Sequence, residues 1–261
     1  MTDVGREPRR APAIGLRDTI ATPEGKRRYV RGLFATIADR YDFITRFLSY
    51  GQDRRWKRRL VRLANITPAD RVLDLACGTG DILFAARRQH PRCAVGVDLT
   101  YRMLALAQAR GRSDPSRGRS DLYGPAVTVI VGDMQALPLD ARTFDVVTIG
   151  YGLRNVPQLP EAVREIHRVL APGGRLLSLD FNRPANAVVR GAYLAYLNAV
   201  GSALGLVLHR DPDTYRYIPE SIRNYPGATG IARLLEGEGF GDVRIVPVLF
   251  GLMTIHVARR R

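Results

Sequence analysis

Residues 72–81, VLDLACGTGD, constrain the fold more than any other part of the chain. An apolar strand closes on an acid, a glycine-rich turn follows, and a helix begins at once. A backbone of this shape brings bare amides and a helix N-terminus against a ligand, while Asp74 or Asp81 receives a positively charged group. Dinucleotide-binding loops use a related strand, turn and helix with the pattern G-x-G-x-x-G, but here the third glycine position is Leu83. Two carboxylates around the turn would repel a pyrophosphate and suit a cationic ligand.

The rest of the chain repeats the unit. Strand signals over 71–76, 92–98, 126–131, 143–150 and 174–181 alternate with helix signals over 80–89, 100–110 and 158–170. That alternation predicts an α/β fold, a doubly wound, Rossmann-like, mostly parallel sheet. Two more strands, about 242–249 and 252–258, flank Phe250-Gly251 and add an antiparallel edge hairpin, giving seven strands. Ahead of the sheet, apolar residues recur at helical spacing over 29–63, interrupted at Ser49-Tyr50-Gly51, and predict a helical cap. Residues 1–27 read as a flexible basic tail and 111–125 as a mobile loop insertion. A helix is expected from Pro184 to about 208 and another over 228–238. The expected organisation is one domain over 28–261, with the cap at 28–65 and a substrate-side segment at 185–227.

Forty Lys and Arg against 25 Asp and Glu give a net charge of +15. That charge suits anionic partners, lipid headgroups or nucleic acid, and suits equally a plain solvated basic surface. No apolar run approaches the roughly 20 residues that span a bilayer, and the N-terminus lacks the apolar core of a secretory signal. The expected location is cytoplasmic, at most peripheral at the inner face of a membrane. Cys77 and Cys93 have no metal-ligand spacing, so neither a disulfide nor a metal is expected. His90, His167, His209 and His256 are scattered and read as surface or packing residues.

The first loop resembles that of S-adenosylmethionine-dependent methyltransferases, whose ligand carries an ammonium and a sulfonium. On that reading Asp74, Gly78, Thr79 and Gly80 bind the co-substrate. Asp98 stands 18 residues after Gly80 at a strand end, placed to accept from both ribose hydroxyls, or else to cap the helix starting near Tyr101. Asp133 is placed to accept from the adenine amino group, with Met134 on the ring, and Gly150, Tyr151 and Gly152 make a turn that lies against the co-substrate.

Three longer sections narrow the resemblance: FATIADRYDFITRFLSYGQDRRWKR, GYGLRNVPQLPEAVREIHRVLAPGGRLLSLDF and DPDTYRYIPESIRNYP. From residue 34 to 259 the chain resembles the ubiquinone/menaquinone C-methyltransferase family (UbiE/MenG type), with two departures: the insertion at 111–125, and Gly150 where many relatives have serine. The resemblance implies methyl transfer from S-adenosylmethionine to a ring carbon of a prenylated quinol, a demethylmenaquinol first and a benzoquinol second. For that chemistry Arg154 is expected to stabilise the phenolate, directly or through a water, with Asn155 and Tyr41 completing the network and Tyr151 and Tyr217 on the quinol side. Simpler roles are open: Tyr41 packing the cap, Arg154 paired with Glu161 or Glu165. So are three other functions: a methyltransferase for another aromatic small molecule, a silent S-adenosylmethionine-binding subunit of a quinone-synthesis complex, and a nucleic-acid methyltransferase. The last lacks an RNA-binding appendage, so no nucleic-acid partner is expected. The stripe Leu194, Leu197, Val200, Leu204, Val207 suits a greasy entrance at an anionic membrane, a core helix or a homodimer face.

Overall fold

The computed structural model describes residues 16–113, 127–211 and 214–261. Four helices come first: α1 (Leu16–Thr19), α2 (Pro23–Ile37), α3 (Tyr41–Leu48) and α4 (Asp53–Ala64). The alternating region follows as β1 (Arg71–Leu75), α5 (Asp81–Arg87), β2 (Cys93–Asp98), α6 (Tyr101–Ser113), β3 (Val127–Val131), β4 (Phe144–Gly150), α7 (Leu159–Val169) and β5 (Leu170–Phe181). Then come α8 (Ala187–His209), α9 (Tyr217–Arg223), α10 (Gly227–Gly237), β6 (Phe240–Val248) and β7 (Met253–Arg260).

The seven strands form one sheet in the order β3-β2-β1-β4-β5-β7-β6. The first five run parallel, while β7 pairs antiparallel with both β5 and β6. The predicted doubly wound sheet with an antiparallel edge is therefore the observed one. Neighbouring strand residues show why helices are needed on both faces. Val72 packs with Trp56, Leu60 and Ile82 on the side of α4 and α5, and Leu73 with Val163, Ile166 and Ile231 on the side of α7 and α10. Each such burial is worth about 1.5–3 kcal/mol.

Three expectations need correcting. The basic tail predicted over 1–27 does not extend to residue 27, because α1 and the first turn of α2 occupy 16–27. Thr22 caps α2, its hydroxyl accepting from the Gly25 amide at 3.1 Å with Pro23 in the first turn, a start signal masked by the surrounding Arg and Pro. Residues 1–15 lie outside the described residues. The loop predicted over 111–125 begins later, since α6 continues to Ser113, and its remainder lies outside the described residues. Finally, α8 has 23 residues and, in its most apolar window, a mean hydropathy of 1.5, so by length and composition alone one helix could cross a bilayer. Small residues spread through it hide this from a reading that looks for an unbroken apolar run.

Pro172-Gly173-Gly174 makes a bulge within β5: Phe144 pairs with Leu170 and the next pair is Val146 with Arg175, while Gly173 takes φ +75°. Because β1 and β4 are neighbours, the order of strands reverses between them. Ligands of such sheets bind in the crevice that this reversal opens beyond the strand ends.

Candidate active site

At that reversal lies a cavity of about 740 Å³ whose lining includes Ala76, Gly78, Asp98, Met103, Asp133, Met134, Gly150, Tyr151 and Asn155. The turn after β1 reaches it through backbone that side chains disfavour, with φ +49° at Ala76, +54° at Gly78 and +87° at Gly80. A Cβ on Gly80 would sit 2.5 Å from the Phe84 ring, so both the φ and the space require glycine there. Asp98 ends β2 with one oxygen accepting from the Gly78 amide (2.9 Å) and the other from the Thr100 amide (2.8 Å). It thus shapes the glycine turn and the start of α6 together, and burial raises its pKa. Asp133 accepts from the Gln135 amide at 2.9 Å and pairs with Arg27 of α2 at 2.7 Å.

Deeper in, Asp74, Gly78, Thr79, Asp81, Lys57 and Tyr41 line a small recess. Asp74 is buried; one of its oxygens accepts from the Thr148 hydroxyl at 2.7 Å, and the other is enclosed with no partner among the described residues. Burial pushes its pKa up to about 7. Asp81 differs: Lys57 (2.8 Å) and Arg110 (2.5 Å) occupy it and, against burial, hold it down to about 2. Of the two acids around the turn, Asp74 is the one with an unsatisfied oxygen for an ammonium.

A second cavity of about 1100 Å³ lies against the first, and Phe34, Tyr41 and Tyr151 line both. Its walls are aliphatic and aromatic, from Leu33 and Ile37 of α2 through Ile44 and Leu48 of α3 to Leu197, Ile218 and Leu252. Among the described residues, Arg154 is the one charged side chain in this lining. It is paired, but with Asp180 at the end of β5 (2.9 Å) and not with Glu161 or Glu165; the same nitrogen donates to the Tyr151 carbonyl at 2.9 Å. Its guanidinium stands 4.7 Å from the centre of the Phe181 ring, and its Nε is buried without a partner among the described residues. Tyr217, also in this lining, has a buried hydroxyl that is unpartnered in the same sense. Tyr41 lies at the junction of all three spaces, its hydroxyl pushed by burial up to about 12. Asn155 is placed differently from Arg154: it lines the first cavity only and donates to the Tyr151 carbonyl at 2.9 Å.

Several residues at the site carry little sequence signal of their own. Lys57, buried on α4, bridges Asp53 and Asp81 at 2.8 Å each, and Asp53 accepts from the Tyr151 hydroxyl at 2.6 Å. This ties the cap to the turns after β1 and β4. Lys26 donates to the carbonyls of Arg154 (3.1 Å) and Val156 (2.7 Å), fastening α2 to the turn that carries Arg154. The one cue to Lys57 is a lysine beside Trp56 on the apolar face of α4.

The model of the ubiE/COQ5 methyltransferase family matches residues 22–260. The chain belongs to that family. As a family member it is an S-adenosylmethionine-dependent C-methyltransferase. Among its relatives, the ubiquinone/menaquinone biosynthesis C-methyltransferase UbiE of Syntrophotalea carbinolica is 38% identical over 87% of this chain and 92% of its own. The demethylmenaquinone methyltransferase of Thermus thermophilus is 38% identical over 87% of this chain and 100% of its own. An S-adenosylmethionine-dependent methyltransferase of Thermotoga maritima superposes with a TM-score of 0.62 at 18% identity, covering 89% of this chain and all of that one, which shows the shared fold.

The residues present fit this family's co-substrate. The enclosed oxygen of Asp74 suits its ammonium, the Asp98 carboxylate its ribose, and Met103, Met134 and Val97 an adenine face. At Gly150 the room that a side chain would take is filled by Ile82: a Cβ there would meet Ile82 Cδ1 at 2.5 Å. Asp74 gives a pH prediction. With its pKa raised from 3.8 to about 7, the free protein holds a proton there through weakly acidic pH. A bound ammonium favours the carboxylate, so binding should release a proton and tighten as pH rises from 5 to about 7. Calorimetry in buffers of different ionisation enthalpy measures that release, and pH-independent binding would refute it.

Proposed function

We propose that the enzyme methylates a ring carbon of a prenylated quinol, a demethylmenaquinol ahead of a benzoquinol. The carrying observation is the large apolar cavity that shares Phe34, Tyr41 and Tyr151 with the co-substrate cavity and, among the described residues, holds one charged side chain, Arg154. A flat ring with an apolar tail fits such a space. The names of the relatives agree, since they act in quinone biosynthesis or on demethylmenaquinone.

S-adenosylmethionine supplies an electrophilic methyl group on a cationic sulfur. The nucleophile is a ring carbon of the quinol monoanion, whose neighbouring hydroxyl has given its proton to solvent before the ring is enclosed. Arg154 Nε and Tyr217 Oη, both unpartnered among the described residues, lower the cost of the phenolate that results. Tyr41 and Tyr151 set the ring against the methyl group, and the apolar walls keep water from it. After transfer, the displaced ring hydrogen leaves as a proton taken up by solvent, and aromaticity returns.

Incubation with methyl-labelled S-adenosylmethionine and chemically reduced demethylmenaquinol in detergent, read by mass spectrometry, should place label on a ring carbon. No transfer to that quinol or to a benzoquinol would overturn the reading. We also propose peripheral contact with an anionic membrane, supported by the +15 charge and by exposed Val188, Val189, Leu206 and Val207 on α8. In the same assay, quinol supplied in anionic vesicles should be turned over faster than in neutral ones, with a salt-sensitive advantage. Equal rates would refute the contact.

A further inference from the structure

Of the described residues lining the apolar cavity, only Tyr50 and Tyr196 are exposed, at 70% and 36%. They come from opposite sides of its mouth, Tyr50 from the turn between α3 and α4 and Tyr196 from the middle of α8. Their hydroxyls are in hydrogen-bond contact, and their rings stack with centroids 6.3 Å apart and planes inclined by 22°. The rest of the lining is buried or half-buried.

The backbone at Tyr50 adds a second, independent observation. Helix α3 ends with the Gly51 amide donating to the Arg46 carbonyl (2.8 Å) and the Tyr50 amide to that of Phe47 (3.1 Å). In this terminating pattern the residue in Tyr50's place adopts a left-handed conformation and is usually glycine. Tyr50 does adopt it, at φ +50°. A bulky side chain is thus held where it strains the backbone, and what that strain secures is a ring across the cavity mouth.

Cavities of roughly 300–1,000 Å³ enclose a drug-sized ligand. The 1100 Å³ here includes space open to solvent at the mouth, so the enclosed part takes a quinol ring with its first isoprene units, and a longer tail has to pass out through the mouth. Outside, Phe43 and Phe47 of α3 stack on each other at 6.2 Å and are exposed, as is Phe250 in the turn between β6 and β7. An emerging tail meets apolar surface there.

We propose that Tyr50 and Tyr196 form the gate of the quinol cavity, closing over short-tailed acceptors and held open by long-tailed ones, so that the pair sets how the enzyme responds to tail length. The inference rests on the quinol reading of this cavity. A short-tailed quinol is sealed in and leaves only when the hydroxyl contact and the ring stack break. A long tail lies between the rings, so its release does not wait on the gate.

The test uses Trp56, the single tryptophan of the chain, which lines the same cavity. Oxidised naphthoquinones quench indole fluorescence, so stopped-flow quenching gives association and dissociation rates without turnover. Tyr50→Gly puts the residue that the turn prefers in place and keeps the fold, while Tyr196→Phe keeps the ring and removes the hydroxyl. For a naphthoquinone with a single isoprene unit, dissociation should quicken about tenfold in Tyr50→Gly and about fivefold in Tyr196→Phe, the scale set by removing a ring stack or a hydrogen bond. For a long-tailed one it should change less than about twofold, within the scale of a surface substitution. Equal acceleration for both tails, or none for either, would overturn the gate and leave the quinol site standing. If neither quinone quenches the wild-type protein, the quinol reading fails and the gate with it.

Discussion

Arg154→Ala is expected to lower turnover by about 10²–10³, the usual cost of losing a donor aimed at developing negative charge, while the affinity for S-adenosylmethionine stays nearly constant. Arg154 lines the apolar cavity and not the co-substrate one, which is why the two effects should separate. The same change strands Asp180, 1% exposed, without its ion-pair partner. A loss of about 3–5 kcal/mol in stability should accompany it, as for other broken buried pairs. Arg154→Lys distinguishes the two roles. The guanidinium reaches both Asp180 and the Tyr151 carbonyl through Nη1, and a lysine ammonium can keep a charge near Asp180; the Nε donor has no counterpart in lysine. Thermal unfolding should therefore recover most of the lost stability while single-turnover rates do not recover. Wild-type turnover in Arg154→Lys would remove Nε from the mechanism.

Asp98→Asn is expected to act on the other substrate. The carboxylate already receives two backbone amides, one on each oxygen, and has lone pairs left for the ribose. An amide in its place turns an NH₂ toward one of those N–H groups and loses the charge that strengthens every bond. Two charge-assisted hydrogen bonds, at about 1.5–3 kcal/mol each, put the loss of S-adenosylmethionine affinity at about 10²–10⁴. Turnover at saturating co-substrate should fall only a few-fold, because the chemistry lies on the far side of Tyr41 and Tyr151. Equilibrium titration measures the first quantity and initial rates the second. Unchanged affinity would leave Asp98 as a cap of the loop alone.

These two residues also mark what a sequence discloses. The place of Asp98 is legible because it follows from position: an acid at the end of the strand after a glycine turn comes to the crevice where the strand order reverses. Gly78, Asp133 and Met134 come to the same crevice for the same reason, whereas Gly80 does not line it. Partners are not legible in this way. Arg154 is held by Asp180, 26 positions on in β5, although nearer glutamates are equally able to take it by spacing alone. Lys57 reads as one more base in the run RRWKRRLVR until α4 packs on α5 and brings it to Asp81. Such pairings depend on which faces the sheet brings together, and helical periodicity cannot rank them. Asn155 follows Arg154 directly, yet the short helical turn they share sends one side chain to each cavity, a divergence that adjacency conceals.

Lys26 has its acceptors 128 and 130 positions further along the chain, and Ile37, at the end of the same helix, packs with Leu204 and Tyr215. The helix that roofs both cavities is thus made well before some of the segments it packs on. Until α8 and Tyr215 have been made, part of its apolar face stays uncovered, and it is during this interval that a nascent chain is open to aggregation or to a chaperone. A ribosome stalled before residue 187 would hold a finished glycine loop beneath an unfinished roof.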